Sequence, residues 1–116
     1  MTTLSNIMAK IQPASKERKR YIRIKVDSTY RVEKGDLDRA VIQAGLKFLG
    51  ELNMARAGVQ LLADTWDGKH AIVRTGHKYV DDTIAALALV KDIDGKKATI
   101  SSVKVSGAVD KLKRTK

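Results

Sequence analysis

The stretch YIRIKV, residues 21–26, alternates strictly between polar and apolar side chains. A β-strand exposes successive side chains on opposite faces, so the three apolar residues face a core. The other face carries Arg23 and Lys25. The pattern therefore predicts a half-buried strand whose outer face is basic.

Two later segments have apolar residues at the 3.6-residue period of a helix. The first opens at Gly35-Asp36, where an acidic side chain suits the helix dipole, and ends at Gly50. The second covers residues 80–93 and ends before Asp94-Gly95. The side chains expected to face the sheet are Leu37, Ala40, Val41, Ala44 and Phe48 in the first helix, and Val80, Ile84, Leu87 and Val90 in the second.

Three further segments read as strands. The β-rich runs 59–66 and 69–75 are joined by Asp67-Gly68, which suits a type I′ turn and predicts a tight hairpin. Residues 98–105 form the last strand. The order β-α-β-β-α-β predicts an α+β, ferredoxin-like (RRM-like) two-layer sandwich with a four-stranded antiparallel sheet. Both helices then cover one face of the sheet and leave the other face open.

Most of the formal net charge of +10 lies at the two ends of the chain. Residues 1–20 contain five basic groups and one acid, and residues 111–116 contain four basic groups and no acid. Ser106-Gly107 can cap a short basic helix from Ala108 to about Arg114. We expect residues 1–19 to form a flexible basic N-terminal arm and residues 20–116 a single domain for RNA binding and assembly.

Basic side chains neutralise phosphates and release condensed counterions, so the charge pattern favours nucleic-acid binding. The alternative for the two ends is that they are merely solvated tails. The alternative for the body of the chain is that Ser106 only caps a helix and Arg74 only pairs with an acid. The helix start at Ser106-Gly107 also offers backbone N–H groups to a phosphate. The candidate RNA-binding residues are Lys16, Arg18, Lys19, Arg20, Arg23, Lys25, Arg74, His77, Lys78, Ser106, Gly107, Lys111, Lys113 and Arg114.

The composition argues against several kinds of site. The chain has no cysteine, which excludes disulfides and thiolate metal sites and suits a reducing cytoplasm. His70 and His77 lack the spacing of a metal-binding pair, and no nucleophile elbow or phosphate-binding loop is present. No apolar run reaches the length of a membrane span. We expect a cytoplasmic protein with no membrane contact, no metal site, no cofactor and no catalytic residues of its own.

The strands also lack the aromatic residues on which an RNA-recognition motif stacks bases. Residues 69–75 contain no aromatic side chain, and Tyr21 stands alone on the first strand. Sequence-specific binding of single-stranded RNA by the open face is therefore not expected.

A second apolar stripe lies on the outer side of the helices. Its members are Ile42, Leu46 and Leu49 on the first helix and Ala85 and Leu89 on the second. These residues either pack within the chain, on the neighbouring helix or the N-terminal segment, or form a protein–protein interface.

Four short motifs carry a resemblance to a known family: Arg20-Tyr21-Ile22, Gly50-Glu51, Ile72-Val73-Arg74 and Val105-Ser106-Gly107. In order and spacing, residues 20–110 resemble archaeal ribonuclease P protein component 2, whose eukaryotic relatives also serve the related RNA-processing ribonuclease. The resemblance implies a protein subunit of the ribonucleoprotein that removes 5′ leaders from precursor tRNA.

In that family the RNA subunit carries the active site and its Mg²⁺ ions, so the resemblance accounts for a chain without catalytic residues. It implies ribonuclease P RNA as a direct partner and precursor tRNA as an indirect one. It also implies pairing with ribonuclease P protein component 3, as a heterodimer or a heterotetramer. A ribosomal or other structural RNA-binding protein, or a ferredoxin-like protein-interaction module without RNA, remains the alternative.

Overall fold

The computed structural model describes residues 18–109 and Leu112 of the 116-residue chain. The fold is α+β, a five-stranded antiparallel sheet with two helices on one face. The strands are β1 (Lys19–Ser28), β2 (Gln60–Leu62), β3 (His70–Gly76), β4 (Asp92–Ile93) and β5 (Lys96–Ser106), and the helices are α1 (Lys34–Ala57) and α2 (Val80–Ala88). Short 3₁₀ turns cover Ala63–Thr65 and His77–Tyr79. Neither α1 nor α2 is long and apolar enough to cross a membrane.

The sheet has the order β2-β3-β1-β5-β4, which puts β1 at its centre between β3 and β5. The alternation of residues 21–26 is confirmed, because Ile22 and Ile24 are fully buried and Val26 is 5% exposed. Their side chains join Leu37, Leu87 and other apolar residues of the helices in one core.

The prediction of four strands is wrong. The second helix was predicted to continue to residue 93, but its last residues form a fifth strand. α2 ends at Ala88, and Asp92–Ile93 instead pairs with Lys96 and Lys97 as the extra edge strand β4. The turn between them, Asp94-Gly95, has positive φ at both residues, 54° and 75°. This is the backbone that a type I′ turn requires, so the dipeptide forms a hairpin as well as ending the helix.

The predicted type I′ hairpin at Asp67-Gly68 is also wrong. Only Gly68 has a positive φ there, and the strand before it ends early at Leu62. The Asp67 Oδ1 atom accepts hydrogen bonds from the backbone N–H groups of Lys69 and His70, at 2.8 and 2.7 Å. A side-chain oxygen thus takes the place of the tight backbone turn.

Gly50 bends α1 instead of ending it. Its φ of 81° and ψ of 165° are not helical, yet the helix resumes and runs to Ala57. The helix ends at Gly58, whose N–H donates to the Met54 carbonyl oxygen at 3.1 Å. The kink folds Met54 back onto Gly45, where a Cβ atom would lie only 2.4 Å from the Met54 Sδ atom.

Phe48 does not face the sheet as expected, and Met54, beyond the kink, is buried in its stead. Phe48 is 47% exposed, whereas Met54 is 3% exposed and fills the buried space beside Gly45. Phe48 instead lines a groove between the two helices.

The face of the sheet opposite the helices is only partly open. Ile72 lies on this face because it pairs with Arg23, and it is nevertheless only 3% exposed. Leu112, which has helical geometry, is 1% exposed and borders the same cavity as Ile72. Ile72 and Leu112 therefore leave little of this part of the face exposed, although the sequence predicted the face to be open.

Candidate nucleic-acid interface

Basic side chains form rows across the sheet face opposite the helices, which we call the outer face. Residues directly opposite each other on paired strands project from the same face. Arg23 on β1 is opposite Lys104 on β5, and Tyr21 is opposite both Arg74 on β3 and Ser106 on β5. The predicted cations of β1 and β3 are therefore brought together at the centre of the sheet.

Lys104 is a basic residue of this face that the sequence analysis missed. In a regular strand, residues 100, 102 and 104 share a face, and Ile100 is buried towards the helices. A register shift in the pairing between Arg23 and Ile24 leaves Val103 without a partner on β1. This β-bulge turns Lys104 to the outer face, and only the strand pairing reveals it.

The N-terminal cations lie at the end of the sheet where β1 begins and β3 ends. The Arg18 carbonyl oxygen accepts a hydrogen bond from the His77 N–H at 2.9 Å, and Lys19 pairs with Gly76. Residues 18 and 19, assigned to the arm from the sequence, are therefore part of the folded domain. His77 and Lys78 are exposed in the turn that follows β3.

The Ser106-Gly107 motif lies against this same end. The Ser106 hydroxyl accepts a hydrogen bond from the Ala108 N–H at 3.2 Å, as expected for a cap. A Cβ atom on Gly107 would lie 3.0 Å from the Arg20 Nη1 atom, so the guanidinium rests on the glycine backbone. Arg20 and Gly107, far apart in sequence, thus form one surface.

Arg74 has a neutral hydrogen-bond partner. Its Nη2 donates to the Gln60 Oε1 atom on β2. Its Nε is buried and has no hydrogen-bond partner among the described residues. Because the side-chain partner is an amide and not a carboxylate, this contact positions the guanidinium without neutralising it.

His70 is the first residue of β3 and lies opposite Lys25 on β1. Burial lowers the pKa of its imidazole, and the nearby positive charge of Arg23 lowers the pKa further. The hydrogen bond from the His70 N–H lowers the pKa of the Asp67 carboxyl group. At neutral pH the ring is therefore uncharged and Asp67 is ionised beside it.

We expect His70 to make the free energy of unfolding fall as the pH drops below about 6.5, the ordinary pKa of histidine. Its pKa is lower in the folded state, so the unfolded chain binds a proton first and is stabilised by it. The loss begins near the unfolded pKa and stops growing below the folded pKa. Urea unfolding at pH 7.5, 6.5 and 5.5 measures it, and His70→Gln should flatten this part of the profile. An equal pH slope in both proteins would contradict the assignment.

Four of the candidate RNA-binding residues, Lys16, Lys111, Lys113 and Arg114, lie outside the described residues. The Lys19 side chain reaches the C-terminus of α1, where its Nζ atom lies 3.4 Å from the position that a Cβ atom on Gly58 would occupy. A cation at this position interacts favourably with the helix dipole, so Lys19 also has a structural role. No group of three or more histidine or acidic residues among the described residues could hold a metal ion.

The helical layer carries a groove with a cavity volume of 720 Å³ between α1, α2 and the β4–β5 turn. Its floor includes Ala40, Ala44 and Ala86, and the exposed Phe48 and Leu89 line it. Of the predicted apolar interface residues, Leu89 (60% exposed) and Ala85 are exposed, whereas Ile42, Leu46 and Leu49 are half-buried. Within the helical layer, the large exposed apolar side chains are Phe48 and Leu52 beside the kink of α1 and Leu89 after α2, and two more, Val103 and Val105, lie on β5.

The sequence is similar to several archaeal proteins named ribonuclease P protein component 2. The protein from Pyrococcus furiosus is 38% identical over 104 residues, which cover 90% of this chain and 87% of the relative. The one from Thermococcus gammatolerans is 32% identical with the same coverage, and the one from Archaeoglobus fulgidus is 29% identical over 92% of this chain and 95% of the relative.

A solved structure has the same fold. A chain in the cryo-EM structure of yeast ribonuclease MRP superposes with a TM-score of 0.65 at 16% sequence identity, over 79% of this chain and 76% of that one. Residues 20–115 match the Rpp14/Pop5 family, in agreement with the resemblance of residues 20–110. The chain is a member of the Rpp14/Pop5 family.

Proposed function

We infer that this chain is a protein subunit of ribonuclease P, the ribonucleoprotein that removes 5′ leaders from precursor tRNA. Membership of the Rpp14/Pop5 family and the component 2 relatives that match 90% of the chain support this function. The structural observation that carries it is the convergence of Arg23, Arg74 and Lys104 with the basic end of the sheet. Such a surface binds a polyanion without requiring a particular base sequence.

The proposed role is to stabilise a folded RNA. Guanidinium and ammonium groups on adjacent strands neutralise closely spaced phosphates, which lowers the repulsion between RNA segments. The subunit then reduces the Mg²⁺ concentration that the RNA needs to fold. We propose that catalysis and the Mg²⁺ ions belong to the RNA subunit and that the protein acts in the cytoplasm.

We also propose that ribonuclease P protein component 3 binds the helical layer, in a heterodimer or a heterotetramer. The groove beside α2 supports this location, because it combines exposed Phe48 and Leu89 with a floor of small residues. An apolar centre with charged edges is the usual composition of a specific protein interface. The outer face of the sheet then stays accessible to RNA.

Reconstitution tests the function directly. Ribonuclease P RNA and component 3 are assayed for removal of a precursor tRNA 5′ leader across a Mg²⁺ titration, with and without this chain. We expect the chain to shift the half-maximal Mg²⁺ concentration downwards several-fold. Identical titrations would exclude the function. A chain that binds the RNA but leaves cleavage unchanged would be a structural RNA-binding protein instead.

A further inference from the structure

One row of side chains on the outer face crosses four strands and contains no acid. Gln60 on β2 is opposite Arg74 on β3, and the next residue, Leu61, is buried in the core on the other face. Tyr21 on β1 is opposite Arg74 on one side and Ser106 on β5 on the other. Adjacent strands are about 4.8 Å apart, so the row is about 14 Å long. Gln60, at its edge, is exposed and was not among the residues that the sequence predicted to bind RNA.

The hydrogen bonds within this row leave donors facing solvent. A guanidinium contains only N–H groups, so the Gln60 amide has to use its oxygen to accept from the Arg74 Nη2 atom. The Gln60 N–H₂ group then remains available, because no described residue bonds it. In the same way, the Ser106 oxygen accepts from the Ala108 N–H, which leaves the hydroxyl proton free to donate. Such a set of donors complements an anion, whose oxygens only accept.

The positive charge of Arg74 has no ion pair among the described residues. Lys25, on the same face, lies 3.7 Å from the Asp27 Oδ1 atom, and Arg39 on α1 bonds the Asp36 carboxylate. Arg74 has a neutral amide as its partner instead. Its side chain is half-buried, and its buried Nε has no partner among the described residues. A partly buried cation in this state costs free energy, which an anion from outside the chain would offset.

We propose that Gln60 and Arg74 together bind one phosphate group of the RNA backbone. The Gln60 N–H₂ group donates to one phosphate oxygen and the Arg74 guanidinium donates to another. The Gln60 oxygen meanwhile holds the guanidinium in place without neutralising it. Gln60 is thus both a phosphate ligand and the positioning residue for Arg74. This inference rests on the proposed RNA-binding function.

A carboxylate of a partner protein would offer similar oxygens, but the surroundings favour RNA. Arg23 and Lys104 are opposite each other on the neighbouring strands of the same face. Together with the row they extend the positive surface over a width that several phosphates can occupy, and such a surface is typical of binding to a nucleic-acid backbone. A single acidic side chain would use only one of these groups.

Gln60→Glu is the variant that tests this site. It keeps an oxygen for Arg74 but replaces the N–H₂ group by a negative charge, so it both removes a phosphate donor and neutralises the guanidinium. Binding of the full-length protein to ribonuclease P RNA should weaken about tenfold, as for the loss of a charge-assisted hydrogen bond. The slope of log K against log salt concentration should fall by about 0.7–0.9. The midpoint of urea unfolding should stay the same or rise, because an ion pair replaces a neutral hydrogen bond across the strands. A merely structural role for Gln60 would not separate RNA binding from stability in this way.

Gln43→Glu is the matched control. Gln43 is exposed on α1 in the helical layer, so the variant makes the same change of charge away from the outer face. Screening by salt should limit its effect on RNA affinity to about twofold or less. A double-mutant cycle adds a second readout. In an Arg74→Gln background, Gln60→Glu should have a much smaller effect than in the unmodified protein, because the two residues act on one phosphate.

Four results would count against the site. Equal losses of RNA affinity in Gln60→Glu and Gln43→Glu would overturn it, as would fully additive effects of Gln60→Glu and Arg74→Gln. Weaker binding of component 3 with unchanged RNA binding would make the anion a protein carboxylate, and the phosphate assignment would be wrong. Salt-dependent RNA binding that Gln60→Glu leaves unchanged would refute this site alone. No binding of RNA by the unmodified protein would overturn the RNA-binding function and this site together.

Discussion

Gly50→Ala is expected to lower the free energy of unfolding by about 1–3 kcal/mol, because residue 50 occupies a backbone region reserved for glycine. Its φ of 81° and ψ of 165° bring a Cβ atom into conflict with its own backbone, although nothing else lies within 4 Å of that position. The strain can relax only by straightening α1. Straightening would withdraw Met54 from its contact with Gly45 and leave a cavity in its place.

Thermal and urea unfolding measure this effect, and Gly35→Ala is the matched control on the same helix. Gly35 is in the first turn of α1 and has no positive φ, and a Cβ atom added there would have no other atom within 4 Å. Alanine there should be neutral or stabilise the helix slightly. If both variants unfolded alike, the kink at Gly50 would not be a strained feature of the native chain.

Neutralising Arg23, Arg74 and Lys104 together, each to glutamine, is expected to weaken binding to ribonuclease P RNA by about 100-fold at about 0.1 M salt. Each lost phosphate contact removes about 0.7–0.9 from the slope of log K against log salt concentration, so the slope should fall by about 2–3. A titration of the RNA at several salt concentrations measures both quantities. The three residues lie on adjacent strands of the outer face, so they act on one stretch of RNA.

A matched variant carries Lys34→Gln, Lys47→Gln and Lys91→Gln. These lysines are exposed on or beside the helices, away from the outer face, and their loss changes the net charge by the same amount. The slope should then stay close to that of the unmodified protein. Equal losses in the two triple variants would mean that the chain binds RNA by its overall charge and not by the sheet face.

Local patterns in the sequence were sufficient to predict the central strand and which of its two faces is buried. The alternation of residues 21–26 fixes which side chains enter the core, because the pleat of a strand has a period of two. The same alternation places Arg23 and Lys25 on the outer face. The two helices and their positions between strands also follow from apolar periodicity, although the end of each helix differed from the expectation.

Features that depend on distant partners were decided by the tertiary structure. The side on which Lys104 projects depends on a bulge opposite β1, and a bulge leaves no periodic signal in the strand itself. Ile72 on β3 and Leu112 are both almost fully buried and border one cavity on the outer face, although the two are far apart in sequence. Likewise, Asp67-Gly68 and Asp94-Gly95 form different turns although the dipeptides are identical. Only Asp94-Gly95 is flanked by two residues that pair with each other, Ile93 and Lys96.

The sequence by itself therefore determined a basic α+β chain of this family, because composition, periodicity and short motifs are local properties. Only the tertiary structure decided which cations share a surface, where the helical layer stays uncovered and how the outer face is closed. Those properties depend on strand register and on contacts between residues far apart in the chain, and neither has a local signal.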